Sequence, residues 1–349
     1  MTDHACTFST PHEIHLSRTT AALKTLLKYY DQTTGLFSTT GWWNSANAIT
    51  VLADFAIISP SLNTILIPLF SNTLTQAPKS PHGFPGFLND FYDDEGWWAL
   101  AFLRIYDVTN EDEYLEIAMA IFEDMTTGWG GPCGGVWWNK RKEYTGAVEN
   151  EVFLATAAGL ANRTAKGEKG EEEGGKKRGY YKEWAVKQWK WFQGTGMINA
   201  KFNVNNGIDA ANCKNDGGQV WTYNQGVILG ALVELNVALP DEEYLDTAEK
   251  IAMAALEKMT DQEGILHEPN EPDVGADGAQ FKGIFTEEGV WRVCGEECRE
   301  CLAESGEGDD LGVVWSAKTE EATAATQSSA CEALVAALAV VAGDGVSVV

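Results

Sequence analysis

Residues 89–98 read NDFYDDEGWW, with three consecutive acids between aromatic side chains. An apolar run with helical periodicity follows, so the acids lie at the predicted start of a helix that extends to about Asp107. Acidic side chains at this position can cap the helix and complement its dipole. Two neighbouring carboxyl groups can also provide an acid and a base, because like charges raise the pKa of one of them. The segment therefore predicts a helix start and a candidate catalytic pair, Asp93 and Asp94.

The spacing of the pair indicates which glycosidase chemistry it would suit. Adjacent Cα atoms lie about 3.8 Å apart, so carboxyl groups on neighbouring helical residues can lie about 5 Å apart. Retaining glycosidases use that separation, whereas inverting enzymes need about 6.5–9.5 Å to admit a water. If the pair is catalytic, we expect a nucleophile, an acid/base and a covalent glycosyl intermediate. Spacing alone leaves open which aspartate has which role.

Similar polar and aromatic clusters begin five other predicted helices, each of which then becomes small and apolar. These clusters are Trp43-Asn44, Glu149-Asn150, Trp221 to Asn224, Phe281-Lys282 and Gln327. Helices with acidic or amide caps alternate with them, and one such helix repeats, because residues 113–118 resemble residues 243–248. Six inner helices with outer partners predict an all-α protein, an (α/α)6 toroid. The inner N-termini would meet at one mouth, where free N–H groups favour acidic side chains and sugar hydroxyls.

The composition is that of a globular protein, with 349 residues, 44% of them hydrophobic. We expect one catalytic domain over residues 1–349. The low-complexity stretch at about 166–178, rich in Glu, Lys and Gly, predicts a flexible surface insertion.

Charge and hydropathy restrict the possible partners. The formal net charge is −26, which repels nucleic-acid phosphates and anionic lipid but not a neutral sugar polymer. No apolar run of about 18 residues predicts a membrane-spanning helix. The first ten residues lack a signal-peptide pattern, which fits either a cytoplasmic protein or a mature secreted one.

The cysteines raise an alternative from another class of protein. Cys294, Cys298 and Cys301 have the spacing C-x3-C-x2-C, which matches the iron–sulfur motif of radical S-adenosylmethionine enzymes. Those enzymes carry the motif early in a β/α barrel, whereas here it comes late and without βαβ alternation. Disulfides or buried thiols are the favoured interpretation, with the pairing open. The five histidines have no metal-ligand spacing, so we expect neither a metal nor a cofactor.

Six motifs together resemble glycoside hydrolase family 76, the endo-α-1,6-mannanases and the related fungal cell-wall mannosidase/transglycosylase branch. In chain order they are GWWNSAN (41–47), YDDEGWWAL (92–100), GGVWW (134–138), ENEVFL (149–154), WTYNQG (221–226) and FKGIF (281–285). The resemblance extends from about residue 20 to residue 340, except over residues 286–312, where the sequence differs from the family pattern. It implies the (α/α)6 fold, with Asp93 as nucleophile and Asp94 as general acid/base.

Ten further side chains are candidates for contacts with a mannose unit. They are Asn44, Asn47, Trp97, Trp138, Asn150, Asp209, Trp221, Tyr223, Asn224 and Lys282. Each also has a structural interpretation: helix or turn caps for the amides and Asp209, core packing for the aromatics, and an ion pair for Lys282.

These observations predict a retaining, endo-acting glycoside hydrolase that cleaves α-1,6-mannosidic bonds in mannan. A mannan transglycosylase of cell-wall assembly would share every step except the final acceptor. A carbohydrate-binding protein would keep the cleft without turnover. We expect a monomer that binds α-mannan or mannooligosaccharides, located outside the cell or in the cell wall because its substrate lies there, with a cytoplasmic location as the alternative.

Overall fold

The computed structural model describes residues 10–79, 83–167, 171–286 and 322–341. These residues form eleven α-helices: α1 (Pro11–Leu26), α2 (Trp42–Ile58), α3 (Asn63–Gln76), α4 (Tyr92–Thr109), α5 (Asp112–Thr127), α6 (Val148–Gly167), α7 (Glu171–Thr195), α8 (Thr222–Ala238), α9 (Glu242–Met259), α10 (Gly275–Phe285) and α11 (Ala324–Val341). Two antiparallel ribbons pair β1 (Tyr30–Asp31) with β2 (Leu36–Phe37), and β3 (Ile208–Asp209) with β4 (Lys214–Asn215).

Six of these helices form a closed inner ring. Helices α2, α4, α6, α8, α10 and α11 pack against one another in that order, and α11 packs back against α2. Around them, α1 packs on α11, α3 on α2, α5 on α4, α7 on α6 and α9 on α8. The predicted (α/α)6 toroid is confirmed. The three spaced cysteines, Cys294, Cys298 and Cys301, lie outside the described residues.

The two rings differ because their helices bury different amounts of surface. In the inner helix α2, every residue from Asn44 to Ala56 is buried, as expected for a helix that is apolar on all sides. The outer helix α5 buries one stripe, with Leu115, Ala118, Phe122 and Met125 at spacings of three and four residues. The sequence pattern of each helix therefore decides its ring.

A buried ion network joins four inner helices near their C-terminal ends. Arg163 of α6 contacts Asp107 of α4 at 2.6 Å and Glu234 of α8 at 3.1 Å. Arg104 of α4 contacts Asp54 of α2 at 3.1 Å. Removing one partner from such a network leaves a buried charge unpaired, which is strongly destabilising. The network links these four helices at the end opposite to the inner N-termini.

Two predicted boundaries differ from the structure. Helix α7 begins at Glu171, so the second part of the predicted insertion is helical, in keeping with the high helix propensity of Glu, Lys and Arg. Residues 168–170 lie outside the described part. Helix α10 begins at Gly275, six residues before the predicted start at Phe281, because its first turns pack within the ring.

Two further features concern the cysteines and hydropathy. A disulfide joins Cys133 to Cys213, in the loops that follow α5 and α7. Within the described ranges no single helix combines the length and apolar content needed to cross a bilayer, and only the pair 42–58 and 60–76, bent by 111°, meets that test when joined.

Candidate active site

The N-terminal ends of the inner helices surround a cavity of about 500 Å³. This volume lies within the usual range for small-molecule sites. The lining consists of acids, aromatics and a few polar loop residues: Trp43, Phe91, Asp93, Asp94, Trp97, Trp138, Tyr144, Gly146, Val148, Glu149, Asn206, Tyr223, Asp277 and Phe281.

The start of α4 is fixed by backbone pairing with the loop that precedes α6. The N–H of Tyr92 donates to the carbonyl of Trp138 at 2.9 Å, and Phe91 forms an antiparallel bridge with Asn139. The next two residues, Asp93 and Asp94, are half-buried and line the cavity. The predicted pair therefore faces a shared cavity rather than bulk solvent.

Asp93 has a buried, partly satisfied carboxyl group. Its Oδ2 accepts a hydrogen bond from the indole N–H of Trp138 at 3.2 Å. Its Oδ1 is buried and has no hydrogen-bond partner among the described residues. Burial raises the pKa of Asp93 to about 7, although hydrogen bonds from backbone N–H groups and Trp138 favour the ionised form, and the charge of Asp277 raises the pKa further.

Asp94 differs from Asp93 in its hydrogen bonds and charges. The side-chain amide of Asn89 donates to its Oδ2. Burial, followed by the charges of Asp93 and Asp277, raises the pKa of Asp94 well above its ordinary value. Each carboxyl group thus has a different donor, Trp138 for Asp93 and Asn89 for Asp94. Two neighbouring carboxyl groups with raised pKa values can share one proton, so that one is a carboxylate and the other a carboxylic acid.

The third acid of the run, Glu95, has a structural role. It is fully buried and does not line the cavity. Its Oε2 forms an ion pair with Lys140 at 2.8 Å, and Lys140 also contacts Asp124 at 2.8 Å. Burial raises the pKa of Glu95 well above its usual value, although Lys140 opposes this. Glu95 joins the start of α4 to the loop that carries Trp138.

Aromatic side chains line the cavity on two sides. The rings of Trp43 and Trp97 are stacked, with centroids 6.0 Å apart. Tyr223 packs on Phe281 at 4.1 Å. The indole N–H of Trp43 donates to Asp277 at 3.2 Å. Flat apolar faces with polar edges suit the apolar faces of sugar rings.

Of the ten predicted substrate contacts, Trp97, Trp138 and Tyr223 line the cavity. Two predicted asparagines use their amides inside the fold instead. Asn44 accepts from the N–H of Gly41 at 3.1 Å and donates to Gln280 at 2.9 Å. Asn150 donates to the carbonyl of Gly146 at 2.8 Å and also bonds Val136. Both amides satisfy backbone groups near a helix start, so neither reaches the cavity.

The two remaining asparagines also lie behind the lining. Asn47 donates to the carbonyl of Trp43 at 3.3 Å, one turn earlier in α2. Asn224 is fully buried and donates to Asn206 at 3.4 Å. Because Asn206 lines the cavity and also accepts from the hydroxyl of Tyr223 at 3.4 Å, Asn224 acts by supporting it.

The last three predicted contacts do not line the cavity. Asp209 is exposed and accepts from the N–H of Ala211 at 2.9 Å, which is the geometry of a turn. Lys282 is buried and forms an ion pair with Glu271 at 2.6 Å. Trp221 packs edge-on against Phe281 at 5.8 Å.

The sequence reasoning missed several lining residues, of which Asp277 is the clearest. Asp277 and Phe281 lie four residues apart in α10 and therefore share the face that lines the cavity. Lys282 is one residue further, a rotation of about 100° around the helix, and faces Glu271 instead. The i, i+4 spacing of Asp277 and Phe281 is the signal that could have identified this face.

Comparison with known proteins relates this geometry to a family. The model of glycosyl hydrolase family 76 matches residues 15–291. The mannan endo-1,6-alpha-mannosidase DCW1 of Candida albicans is 27% identical over 259 residues, 66% of this chain and 54% of that protein. A putative mannan endo-1,6-alpha-mannosidase of Schizosaccharomyces pombe is 24% identical over 281 residues, 74% of this chain and 60% of its own length. The chain thus spans a little over half the length of these curated relatives.

Solved structures share the fold at low identity. An inactive variant of the α-1,6-mannanase GH76A of Salegentibacter sp. HEL1_6, in complex with α-1,6-mannotriose, has a TM-score of 0.77 and 22% identity, covering 93% of this chain and 99% of that one. Dfg5 from Chaetomium thermophilum, in complex with glucosamine, has a TM-score of 0.73 and 19% identity, covering 95% of this chain and 91% of that one. Since the family match extends over most of the sequence, including the acidic pair and the helices that carry the cavity, the chain belongs to glycosyl hydrolase family 76.

Proposed function

We propose that the protein is a retaining, endo-acting glycoside hydrolase that cleaves α-1,6-mannosidic bonds in mannan. The observation that carries the proposal is the pair Asp93 and Asp94, which lie next to each other in one cavity and accept hydrogen bonds from different donors. Glycoside hydrolysis requires two carboxyl groups, of which one is protonated and acts as the acid while the other is ionised.

The first half of the reaction uses both aspartates at once. The carboxylate of Asp93 attacks the anomeric carbon, so an ester bond forms while the bond from that carbon to the leaving oxygen breaks. The protonated Asp94 gives its proton to the leaving oxygen. In the second half, Asp94 takes a proton from water, the water oxygen bonds to the anomeric carbon, and Asp93 is released as a carboxylate.

The acidic side chains of the cavity suit a neutral substrate whose sugar ring becomes positively charged in the transition state. Asp277 adds an acidic side chain to the same lining as Asp93 and Asp94. Negative groups repel anionic ligands and stabilise an oxocarbenium-like transition state. The aromatic pairs supply apolar surface without charge.

The relatives support the choice of polymer and of residues. Several curated relatives are named mannan endo-1,6-alpha-mannosidases. In the Salegentibacter protein, the inactive variant bound to α-1,6-mannotriose carries asparagine in place of two consecutive aspartates. Asp93 and Asp94 are consecutive aspartates in the cavity of the same fold. We extend the proposal to a location outside the cell or in the cell wall, where a mannan polymer would be met.

The test is digestion of linear α-1,6-mannan by the parent protein, Asp93→Asn and Asp94→Asn, with product size followed by chromatography. Asp246→Asn is the matched control, because Asp246 is an exposed acid of α9 that pairs with Lys250. The proposal predicts short oligosaccharides from the parent and control, and none from the two site variants.

Adding an α-1,6-mannooligosaccharide acceptor separates hydrolysis from transglycosylation, because both share the glycosyl intermediate. Products longer than the substrate, without free short sugars, would mean that the protein is a transglycosylase and not a hydrolase. Binding of mannan without any product would mean that the protein is a carbohydrate-binding protein without catalytic activity. Unchanged digestion by both site variants would refute the catalytic pair.

A further inference from the structure

Glu149 is a third acid of the cavity that the proposed reaction does not use. It lies in the first turn of α6, is fully buried, and lines the cavity together with Asp93. Its Oε1 accepts hydrogen bonds from the N–H of Gly146 and from the amide of Asn150, the latter at 3.3 Å. Its Oε2 is buried and makes no hydrogen bond to any residue that the structure describes.

Oδ1 of the catalytic candidate Asp93 is also unsatisfied, but several other polar groups of the same lining have partners. The N–H groups of Trp43 and Trp138 are engaged by Asp277 and Asp93, at 3.2 Å each. The hydroxyl of Tyr144 donates to Asp216 at 3.2 Å. A buried polar atom without a partner costs free energy, which a ligand can recover by bonding it. Oε2 of Glu149 is therefore a polar contact prepared for a ligand.

The protonation of Glu149 determines what kind of contact it offers. Burial raises the pKa of Glu149 well above its ordinary value, and the charge of Asp93 raises it further. A protonated carboxyl group has one O–H donor. Because Oε1 already accepts two N–H groups, Oε2 is the atom that would carry the proton. A neutral donor also leaves the charge of Asp93 undisturbed.

We propose that Glu149 is a substrate-binding residue that donates a hydrogen bond from Oε2 to a hydroxyl of the sugar unit held over Asp93. The inference rests on the proposed function and adds a specificity-determining contact to it. A donor at one fixed point discriminates between sugars that differ in the orientation of a single hydroxyl, because the wrong sugar leaves the buried acid unpaired.

The test measures the affinity for α-1,6-mannotriose by calorimetry, with Asp94→Asn present throughout to prevent turnover. In that background, Glu149→Gln keeps a neutral donor of nearly the same shape, and Glu149→Ala removes it. Compared with Asp94→Asn alone, which is the parent in this test, we expect Glu149→Gln to have an affinity within about threefold. We expect Glu149→Ala to bind the trisaccharide roughly 10–100-fold more weakly. Glu151→Gln is the control, since Glu151 is a fully buried acid of the same helix that does not line the cavity, and it should leave the affinity unchanged.

Three results would overturn the inference. Parental affinity in Glu149→Ala would refute the contact alone, whereas absence of binding by the parent would refute the proposed function as well. A loss of affinity in Glu149→Gln as large as that in Glu149→Ala would refute the role of Glu149 as a hydrogen-bond donor.

Infrared spectroscopy tests the same point without a ligand and without the alanine variant. The spectrum of the parent minus that of Glu149→Gln should show the carbonyl stretch of a protonated carboxyl group. A carboxylate band in its place would mean that Glu149 is ionised, and would overturn the inference.

Discussion

The indole of Trp138 favours the ionised form of Asp93, and Trp138→Phe would remove that hydrogen bond while keeping an aromatic ring. The donor and acceptor atoms are 3.2 Å apart. The ring of Trp138 packs on Phe91 with centroids 4.7 Å apart, a contact that a phenyl ring largely preserves. Because the bond stabilises the carboxylate, its loss should raise the pKa of Asp93 above its present value of about 7.

The size of the shift follows from the geometry. A hydrogen bond to a charged group contributes about 1.5–3 kcal/mol. The distance of 3.2 Å is longer than in the strongest bonds of this kind, so the lower figure applies. At about 1.4 kcal/mol per pKa unit, the pKa of Asp93 rises by about 1 unit. Near pH 6 the ionised fraction, and with it kcat/KM, should fall about tenfold, and the difference should shrink towards alkaline pH.

The assay is kcat/KM on a linear α-1,6-mannooligosaccharide as a function of pH. Trp191→Phe is the matched control, because its N–H donates to the carbonyl of Cys133 at 2.7 Å and Trp191 does not line the cavity. The acid limb of the profile should move upwards in Trp138→Phe and stay in place in the control. An unshifted limb, or an equal loss at every pH, would refute the argument that Trp138 tunes Asp93.

Three further predictions concern stability. Burial raises the pKa of Glu268 from 4.5 to about 7, so between these values the folded state holds a proton that the unfolded state has lost, and stability falls as pH rises. Glu268→Gln should remove up to about 1.4 kcal/mol per pH unit from the slope of stability against pH, measured by urea unfolding, and an unchanged slope would contradict this. Arg163→Leu leaves the buried Glu234 without its cation and should lower the free energy of unfolding by about 3–5 kcal/mol in the same assay, whereas a loss below about 1 kcal/mol would mean that the network is dispensable. Cys133→Ser opens the disulfide to Cys213, 80 residues away, and should cost about 2–5 kcal/mol. Calorimetry with and without reductant checks this, since the reductant should lower the Tm of the parent more than that of the variant, and an equal shift in both would contradict it.

The inner ring could be predicted because its helices combine two signals. A helix that is apolar on all sides has no solvent face, so polar residues collect at its N-terminus, where the ring opens to the cavity. Helix α10 lacked this signal, since residues 275–280 read GADGAQ and carry little apolar periodicity. Packing between α8 and α11 makes them helical, which a local pattern does not reveal.

The candidate site could be predicted only in part, for two physical reasons. Polar side chains at helix starts and in the loops before them serve either the cavity or the backbone, and the sequence does not separate Trp138, which faces Asp93, from Asn150, which bonds a loop carbonyl. Loop residues reach the cavity through long-range pairing. The bridge between Gly146 and Gly207 brings two loops together, and no local pattern signals it.

The central claim is that Asp93 forms a covalent bond to the sugar while Asp94 carries the proton. Proton NMR of the first products from linear α-1,6-mannan tests it most directly, because double displacement preserves the anomeric configuration. The account predicts that the newly formed reducing ends appear first as the α-anomer and equilibrate later. First appearance of the β-anomer would show single displacement by water, and would contradict the roles assigned to both aspartates.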